Sequence, residues 1–231
     1  MRPLVAPLIR RAPGRRVHWG NLRRRRPFSA YYGWDRGQPV DRLYIERFLD
    51  RMRDRIAGDV LEVRSRDYTD RFGSAGLRSH VVDIDPSNQA ATVVGDLCQS
   101  ATLPPDAYDC VILTQTLQFL QTPDAAIGNL WRSLRAGGTL LITVPCAARV
   151  DHELADSDLW RWTPVGLRRF VERYCDGPVV HVEAGGNLVA TLASTLGLAV
   201  EDLRDEDLAE DDPVFPIVAC VALTKPTSPP S

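Results

Sequence analysis

Three acidic residues stand where short apolar segments of the chain end. They are Glu62 in VLEV, Asp85 in VVDID and Asp96 in VVGDL. An ionised carboxylate has two acceptor oxygens, so an acid after a second strand can accept hydrogen bonds from both hydroxyls of a ribose. An acid after a third strand can accept from the exocyclic amine of a purine. Asp85 or Asp96 alone could instead cap a turn, but the ordered set predicts a nucleotide-type ligand.

The elements that must position these acids are predicted from hydrophobic patterning. Strands are expected over residues 59–63, 80–85, 92–94, 108–114, 139–144, 178–183 and 217–223. Helices are expected from Val40 to about Ile56, before Gly76, from Pro123 through Leu134, from Pro164 to about Tyr174 and from Asn187 to Leu196. This alternation predicts an α/β fold, a Rossmann-like seven-stranded, mostly parallel sheet with helices on both faces. Ligands of such sheets bind beyond the carboxyl ends of the strands, where the three acids lie.

The composition excludes several classes of protein. The 231 residues are 44% hydrophobic and 25% charged with a net charge of −2, which is typical of a soluble globular protein. No apolar run approaches the roughly 18 residues of a membrane helix. The five cysteines are scattered without a C-x-x-C pair, so neither a disulfide framework nor a metal site is expected, and the cytoplasm is the expected compartment.

The charges are concentrated in two segments. The first 34 residues contain nine arginines and no acid, and the last four of these arginines are consecutive, Arg23–Arg26. By contrast, residues 201–212 contain eight acids. Residues 1–38 are therefore predicted to form a basic, mobile arm before a domain over residues 39–224 and a proline-rich tail over residues 225–231. Alternatively, the arm binds an anionic partner, either a phosphate-bearing substrate, a membrane or nucleic acid. Nucleic acid is disfavoured because no other nucleic-acid motif is present.

Five segments in order resemble a known family over about residues 40–145. They are VLEVRSRDYTDRFG, HVVDIDPSN, VVGDL, LPPDAYDCVILTQTLQFL and LWRSLRAGGTLLITVP. This pattern is similar to that of class I S-adenosylmethionine (SAM)-dependent methyltransferases of the type 11-like group. The segments RGQPVDRLYIERFL, YTDRFG, LWRWTPVGLRRFVE and GNLVATLASTLGL also resemble methyltransferase-domain proteins of bacterial glycan and cell-surface gene sets.

The resemblance implies SAM as the cofactor and assigns its binding residues. Glu62 corresponds to the acid beside the methionine portion of SAM and Asp85 to the acid that binds the ribose. Asp96 and Leu97 correspond to the pair that contacts the adenine. Thr114, Gln115 and Thr116 correspond to the segment on the reactive side of the cofactor. Tyr44, on the first helix, either closes over the cofactor or belongs to the core.

The chain departs from the family pattern after Glu62. The family has E-x-G-x-G-x-G, whereas Glu62 is followed here by VRSRD, without either expected glycine. Arg64 or Arg66, with Ser65 between them, could replace the lost backbone contacts by binding the carboxylate of SAM. Alternatively, the pocket is obstructed and the domain is a catalytically silent binding module.

Residues that could bind and activate an acceptor follow the fifth predicted strand. His152, with Asp151 beside it, is the candidate general base, although an exposed loop histidine is the alternative. Trp160, Arg161 and Trp162 could form an acceptor wall or pack the following helix. The predicted function is methyl transfer to an oxygen or nitrogen of a small molecule or glycan intermediate. An NAD-dependent oxidoreductase is disfavoured because G-x-G-x-x-G is absent.

Overall fold

The computed structural model describes residue 18 and residues 20–227, so part of the predicted arm and tail lies outside the described residues. The strands are β1 Asp59–Val63, β2 Arg78–Asp83, β3 Val93–Val94, β4 Tyr108–Thr114, β5 Leu134–Pro145, β6 Val179–Gly185 and β7 Val218–Thr224. The α-helices are α1 Val40–Arg51, α2 Asp67–Phe72, α3 Pro123–Ser133, α4 Pro164–Val171 and α5 Leu188–Leu196. Within this described part, no helix is both long enough and apolar enough to cross a membrane.

The seven strands form one sheet in the order β3-β2-β1-β4-β5-β7-β6. Strands β1 to β5 are parallel to one another, and β7 runs antiparallel to β5 and β6. The predicted Rossmann-like, mostly parallel fold is confirmed. Because the strand order reverses between β1 and β4, the ligand-binding crevice is expected outside their carboxyl ends.

Several element boundaries differ from the predictions, and the largest differences are that α1 ends at Arg51 rather than near Ile56 and that β5 begins at Leu134 rather than Thr139. Strand β2 ends at Asp83 rather than Asp85, because the Asp83 carboxylate accepts hydrogen bonds from the Asp85 N–H and from Asn88 and turns the chain. Helix α3 ends one residue earlier than predicted, since Leu134 already pairs with Tyr108 in the sheet. Helix α4 ends at Val171, three residues before the predicted end.

The sheet is covered on both faces. Alternate residues of β4 enter opposite cores: Val111 packs with α3 and α4 residues, whereas Ile112 packs with α1 and α5 residues. Each fully buried aliphatic side chain contributes roughly 1.5–3 kcal/mol by leaving water. These two apolar layers hold the carboxyl ends of β1, β4 and β5 in a fixed arrangement.

Residues 28–38, which we call the strap, pack on the domain although the sequence assigns them to the arm. The Phe28 N–H donates to the Leu196 carbonyl at 2.7 Å, and Ser29 is buried. Gly33 has φ +100°, and a Cβ there would lie 2.7 Å from the Leu198 oxygen. The Arg36 guanidinium binds the Asp202 carboxylate. The proposed boundary at residue 39 therefore separates residues that are in contact.

The amino-terminal edge of the sheet is held by charges around Asp59. Its side chain, 7% exposed, binds the guanidinium groups of Arg78 and Arg135 and lies 3.1 Å from His80. Arg135 also binds Asp109, which accepts the Asp59 N–H. Hydrogen bonds from Arg78 and Arg135 hold the pKa of Asp59 well below its usual range.

We predict that Asp59→Asn lowers the free energy of unfolding by about 1–2 kcal/mol at pH 7, because charge-assisted bonds to partly exposed arginines are lost. The lowered pKa keeps Asp59 ionised when folded at pH values that protonate it in the unfolded chain. Its stabilisation is therefore complete above about pH 4 and declines as the pH falls further. Denaturant unfolding at pH 7 and pH 3 measures this.

The control is Asp54→Asn, an exposed aspartate at the same end of the sheet with no ion pair among the described residues. It should change stability little at either pH. A destabilisation by Asp59→Asn that is equal at both pH values would contradict the electrostatic explanation.

Candidate functional site

A cavity of about 580 Å³ lies beyond the carboxyl ends of β1, β4 and β5. The strap forms one wall, and residues 146–163, which we call the β5–α4 loop, form another. Five predicted site residues line it, namely Arg64, Gln115, Asp151, His152 and Arg161. The other predicted residues do not.

Arg64 occupies the position where the family pattern has its first glycine, and it keeps the backbone conformation of a glycine. Its φ is +70°, which costs a non-glycine residue roughly 1–2 kcal/mol. The turn is held by its N–H, which donates to Val82 O at 2.9 Å, and by its carbonyl, which accepts from Asn88. Arg64 lines the cavity, and its guanidinium makes no hydrogen bond or ion pair to any described residue. Backbone strain at an uncommitted charge indicates a binding role.

Gln115 repeats this arrangement after β4. Its φ is +46°, and its N–H donates to Thr143 O at 2.9 Å. The side-chain Nε2 is buried in the cavity wall without a partner among the described residues. A buried, unpartnered amide costs about 1–3 kcal/mol, so this group is a candidate donor to a ligand.

The first turn of α1 contributes two charged residues that sequence reasoning missed. Asp41 lines the cavity, and no described residue donates a hydrogen bond to its carboxylate. Arg42 Nη1 donates to the Tyr68 hydroxyl at 3.0 Å, whereas its Nε is buried and unpartnered in this part of the structure. The sequence feature that could have indicated them is Pro39, which marks the start of α1. Because α1 begins at the carboxyl edge of the sheet, the first turn of this helix lies beside the ligand-binding crevice.

The strap contributes aromatic residues to the wall of the cavity. Tyr32 has φ +59°, and the Arg149 guanidinium lies 3.9 Å from its ring centroid. Burial and the nearby Asp151 carboxylate raise the pKa of Tyr32 to about 12, so the phenol remains protonated at neutral pH. Arg149 also donates to Ser29 O at 3.0 Å and Ala30 O at 2.5 Å, which joins the strap to the β5–α4 loop.

Both predicted acid–base residues reach the cavity. Asp151 accepts hydrogen bonds from the N–H groups of Glu153 and Leu154 at 2.8 and 3.1 Å. The His152 imidazole is 53% exposed, and its Nε2 lies 3.9 Å from the Glu153 carboxylate. Its ring centroid is 6.1 Å from that of Tyr31. The imidazole is therefore accessible to an acceptor in the cavity.

Arg161 lines the cavity, but its guanidinium is already used. It binds both oxygens of Asp158 at 2.5 and 2.7 Å and donates to the carbonyls of Ala148 and Arg149. These bonds lower the pKa of Asp158. Arg161 therefore holds the β5–α4 loop closed on itself, which corrects its predicted role in binding an acceptor.

The two tryptophans beside Arg161 lie outside the cavity, and this corrects the predicted acceptor wall. Trp160 Nε1 donates to Leu120 O at 3.0 Å. The Trp162 ring is 4.7 Å from that of Phe170 on α4 and packs on the core. For Trp162, the alternative is observed, because it packs on the following helix.

Glu62 does not line the cavity. It is 2% exposed and accepts hydrogen bonds from the N–H groups of Tyr68 and Thr69 and from the Thr69 hydroxyl. Burial raises its pKa. Its carboxylate caps the start of α2, where unpaired N–H groups attract an acid, so its predicted contact with SAM is corrected.

The neighbours of Arg64 are also used locally. Arg66 pairs with Asp70 at 2.7 Å, and Ser65 donates to Asp67 at 3.0 Å. Arg64 is therefore the arginine of this segment that faces the cavity.

The acids after β2 and β3 lie at the same sheet edge but outside the cavity. Asp85 accepts from the Ser87 N–H at 2.8 Å, which lowers its pKa, and Asp96 accepts from the Cys98 N–H at 2.8 Å. Each accepts one turn hydrogen bond in this structure, and the predicted contacts with ribose and adenine stay predictions. Leu97 is a core residue, and Thr116 donates to the Thr114 carbonyl without lining the cavity.

Tyr44 is a core residue and does not close over the cavity. Val40, Tyr44 and Phe48 form the apolar stripe of α1, and Tyr44 is 1% exposed. Its hydroxyl is buried without a partner among the described residues. Residues four apart share one helix face, so Tyr44 had to turn towards the sheet with Val40 and Phe48.

Residues 65–142, about a third of the chain, match a family model described as a methyltransferase domain. No curated protein sequence matches the chain. The family match does not extend to bacterial glycan or cell-surface gene sets, so that closer resemblance stays a prediction.

Several solved structures share the fold. A SAM-dependent methyltransferase from Mesorhizobium loti is 14% identical with a TM-score of 0.57, and the match covers 80% of this chain and 100% of that chain. One from Archaeoglobus fulgidus is 14% identical with a TM-score of 0.54, covering 80% and 94%. Phosphoethanolamine N-methyltransferase 2 of Haemonchus contortus, in complex with SAM, is 16% identical with a TM-score of 0.51, covering 79% and 53%.

The sheet order, the cavity at its carboxyl edge and the matched domain together define a methyltransferase fold. The groups on the cavity also fit SAM. Arg64 and Asp41 offer uncommitted charges of opposite sign, which match a zwitterionic amino acid, and Gln115 Nε2 offers an unused donor. The matched methyltransferase domain and these groups support SAM as the cofactor.

We predict that Tyr44→Phe leaves the thermal stability unchanged or raises it, because the substitution removes a buried hydroxyl that has no described partner. The affinity for S-adenosylhomocysteine should stay within about twofold, since Tyr44 lies outside the cavity. Calorimetric titration and thermal melting measure the two effects. A large loss of affinity without a loss of stability would show that Tyr44 takes part in ligand binding.

Proposed function

We propose that this chain is a SAM-dependent methyltransferase that transfers a methyl group to an oxygen or nitrogen of a small molecule or glycan intermediate. One observation carries the proposal. Uncommitted polar groups from the ends of β1 and β4, the start of α1 and the β5–α4 loop meet on one cavity of a methyltransferase fold. Such convergence at the point where strand order reverses is typical of a cofactor site.

The amino-acid end of SAM would be held by side chains. The Arg64 guanidinium would bind the carboxylate and the Asp41 carboxylate would bind the ammonium group, both through charge-assisted hydrogen bonds. This pair would replace the backbone contacts that the family makes with its glycines. Asp85 and Asp96, at the same sheet edge, would accept from the ribose hydroxyls and the adenine amine.

SAM, when bound, supplies a methyl group that its sulfonium already activates. The protein therefore has to align the acceptor and exclude water. The strap and the β5–α4 loop enclose the cavity for this purpose, since Arg149 joins them. His152, with Asp151 beside it, would take the proton that an acceptor hydroxyl loses. The protonated Tyr32 phenol would donate a hydrogen bond to orient that acceptor.

We expect the protein to bind S-adenosylhomocysteine in a calorimetric titration, because the proposed site recognises groups shared by SAM and its product. If millimolar ligand produces no heat and no thermal shift, the proposal is contradicted and a catalytically silent domain is favoured. Incubation with methyl-labelled SAM and fractionated cell extract then identifies the acceptor class, because the label moves to it.

We predict that Arg64→Ala weakens S-adenosylhomocysteine binding about tenfold, the loss of one charge-assisted bond at a partly exposed site. Binding of 5′-methylthioadenosine, which lacks the amino-acid end, should be unchanged. Asp85→Ala should weaken both ligands, since both contain the ribose. Calorimetric titration of each ligand against each variant measures this.

The matched control is Arg66→Ala, which removes an arginine of the same loop that is paired with Asp70. It should leave both affinities unchanged. An equal loss of both ligands in Arg64→Ala would show that this arginine maintains the loop rather than binding the amino-acid end.

A further inference from the structure

Large apolar side chains are exposed around the mouth of the cavity. On the strap, Tyr31 is 57% exposed and Trp34 is 60% exposed. On the β5–α4 loop, Val150 and Leu154 are 58% and 43% exposed. We call these four residues the rim. Tyr31, Trp34 and Leu154 line the cavity directly, and Val150 lies between the lining residues Arg149 and Asp151.

A run of exposed arginines, Arg23–Arg26, precedes the strap. The Arg24 guanidinium lies 3.5 Å from the Phe28 ring centroid, and its Nε donates to Arg26 O at 2.7 Å. No carboxylate of the described residues pairs with any of the four guanidinium groups. Because Phe28 and Ser29 are attached to the domain, the run is anchored at its carboxyl end, and the attached chain leads directly from there to Tyr31 of the rim.

Two acids of the segment 201–212 lie at the strap, where Asp202 is paired with Arg36 and Glu201 accepts the Gln38 N–H, and the rest of the segment lies away from the arginine run. The residues from 205 onwards lie at the start of α5, where Asn187 donates to Asp207 O and Glu210 O at 2.9 and 2.8 Å. The arginines lie at the other end of α5, where Phe28 bonds to Leu196. Nine helical residues separate the two ends by about 13 Å, which exceeds the Debye length of about 8 Å at physiological salt.

We infer that the rim and Arg23–Arg26 together dock this protein on an anionic lipid surface. Arginines are attracted to anionic headgroups, and tryptophan and tyrosine rings favour the boundary between headgroups and acyl chains. Val150 and Leu154 supply the aliphatic part of the contact. Docking in this orientation turns the cavity mouth towards the lipid.

Lipid fits this surface better than nucleic acid does. The arginines alone would serve either partner, because both present phosphates. Val150 and Leu154, however, offer nothing that a nucleotide uses, whereas they add buried apolar area on a bilayer. Asp35 and Glu153 flank the rim and oppose an anionic partner, so the attraction depends on the four arginines.

The test is co-sedimentation of the full chain with lipid vesicles, which needs neither cofactor nor acceptor and so does not rest on the proposed function. We expect binding to phosphatidylcholine vesicles that contain about 30% phosphatidylglycerol, weak binding to phosphatidylcholine alone, and release at high salt. The double variant Arg23→Gln with Arg25→Gln should lower the partition coefficient about 25-fold, because each arginine contributes a factor of roughly five. Trp34→Ser should lower it several-fold.

Two control variants separate this surface from general effects. Arg169→Gln with Arg173→Gln removes two exposed arginines on and after α4, and Val180→Ser removes an exposed apolar side chain on β6. Both should bind as the parent does, with circular dichroism confirming that every variant folds. The inference is overturned by absent or lipid-independent binding, by equal losses in the controls, by an unchanged Trp34→Ser, or by tighter binding to a DNA oligonucleotide than to the anionic vesicles.

Discussion

The site depends on two left-handed residues at the carboxyl ends of adjacent parallel strands. Arg64 and Gln115 follow β1 and β4, and each has a positive φ that turns the chain abruptly away from its strand. The turns are fixed by hydrogen bonds to the neighbouring strands β2 and β5. A parallel sheet places both turns at one edge, so two strained residues direct polar side chains into the same cavity. The strain is tolerated because two packed faces hold the strands.

The strap completes the cavity from outside the sheet. It is attached at Phe28 to the end of α5, at Arg36 to Asp202, and through Arg149 to the β5–α4 loop. The same segment therefore forms a wall of the cavity, places Tyr32 beside Asp151 and anchors the arginine run that precedes it. Binding inside the cavity and contact at its rim are in this way properties of one continuous piece of chain.

Local patterning predicted the elements well because it records which side chains are buried. The seven strands and the main helices appear at or within a few residues of their expected positions, and β1 and β4 begin and end as predicted. The same patterning could not assign single polar side chains. Glu62 lies near the carboxyl end of β1, where an acid is expected to bind a ligand, yet its carboxylate caps α2. Arg161 was expected to bind an acceptor, yet its guanidinium is held by Asp158, three residues away. A charged group can pair with any of several nearby groups. Its choice depends on distances between side chains in the folded protein, which the hydrophobic pattern does not contain.

The amino-acid sequence by itself determined the sheet, its order of helices and strands, and the edge at which chemistry is expected, because alternating apolar periods specify burial. Tertiary structure alone decided which residues share the cavity. It brought Asp41, Tyr32 and Arg149 to Arg64 from distant parts of the chain, and it turned Tyr44 into the core. The physical reason is that convergence at a crevice follows from helix orientation and loop packing, which are set by long-range contacts rather than by neighbouring residues.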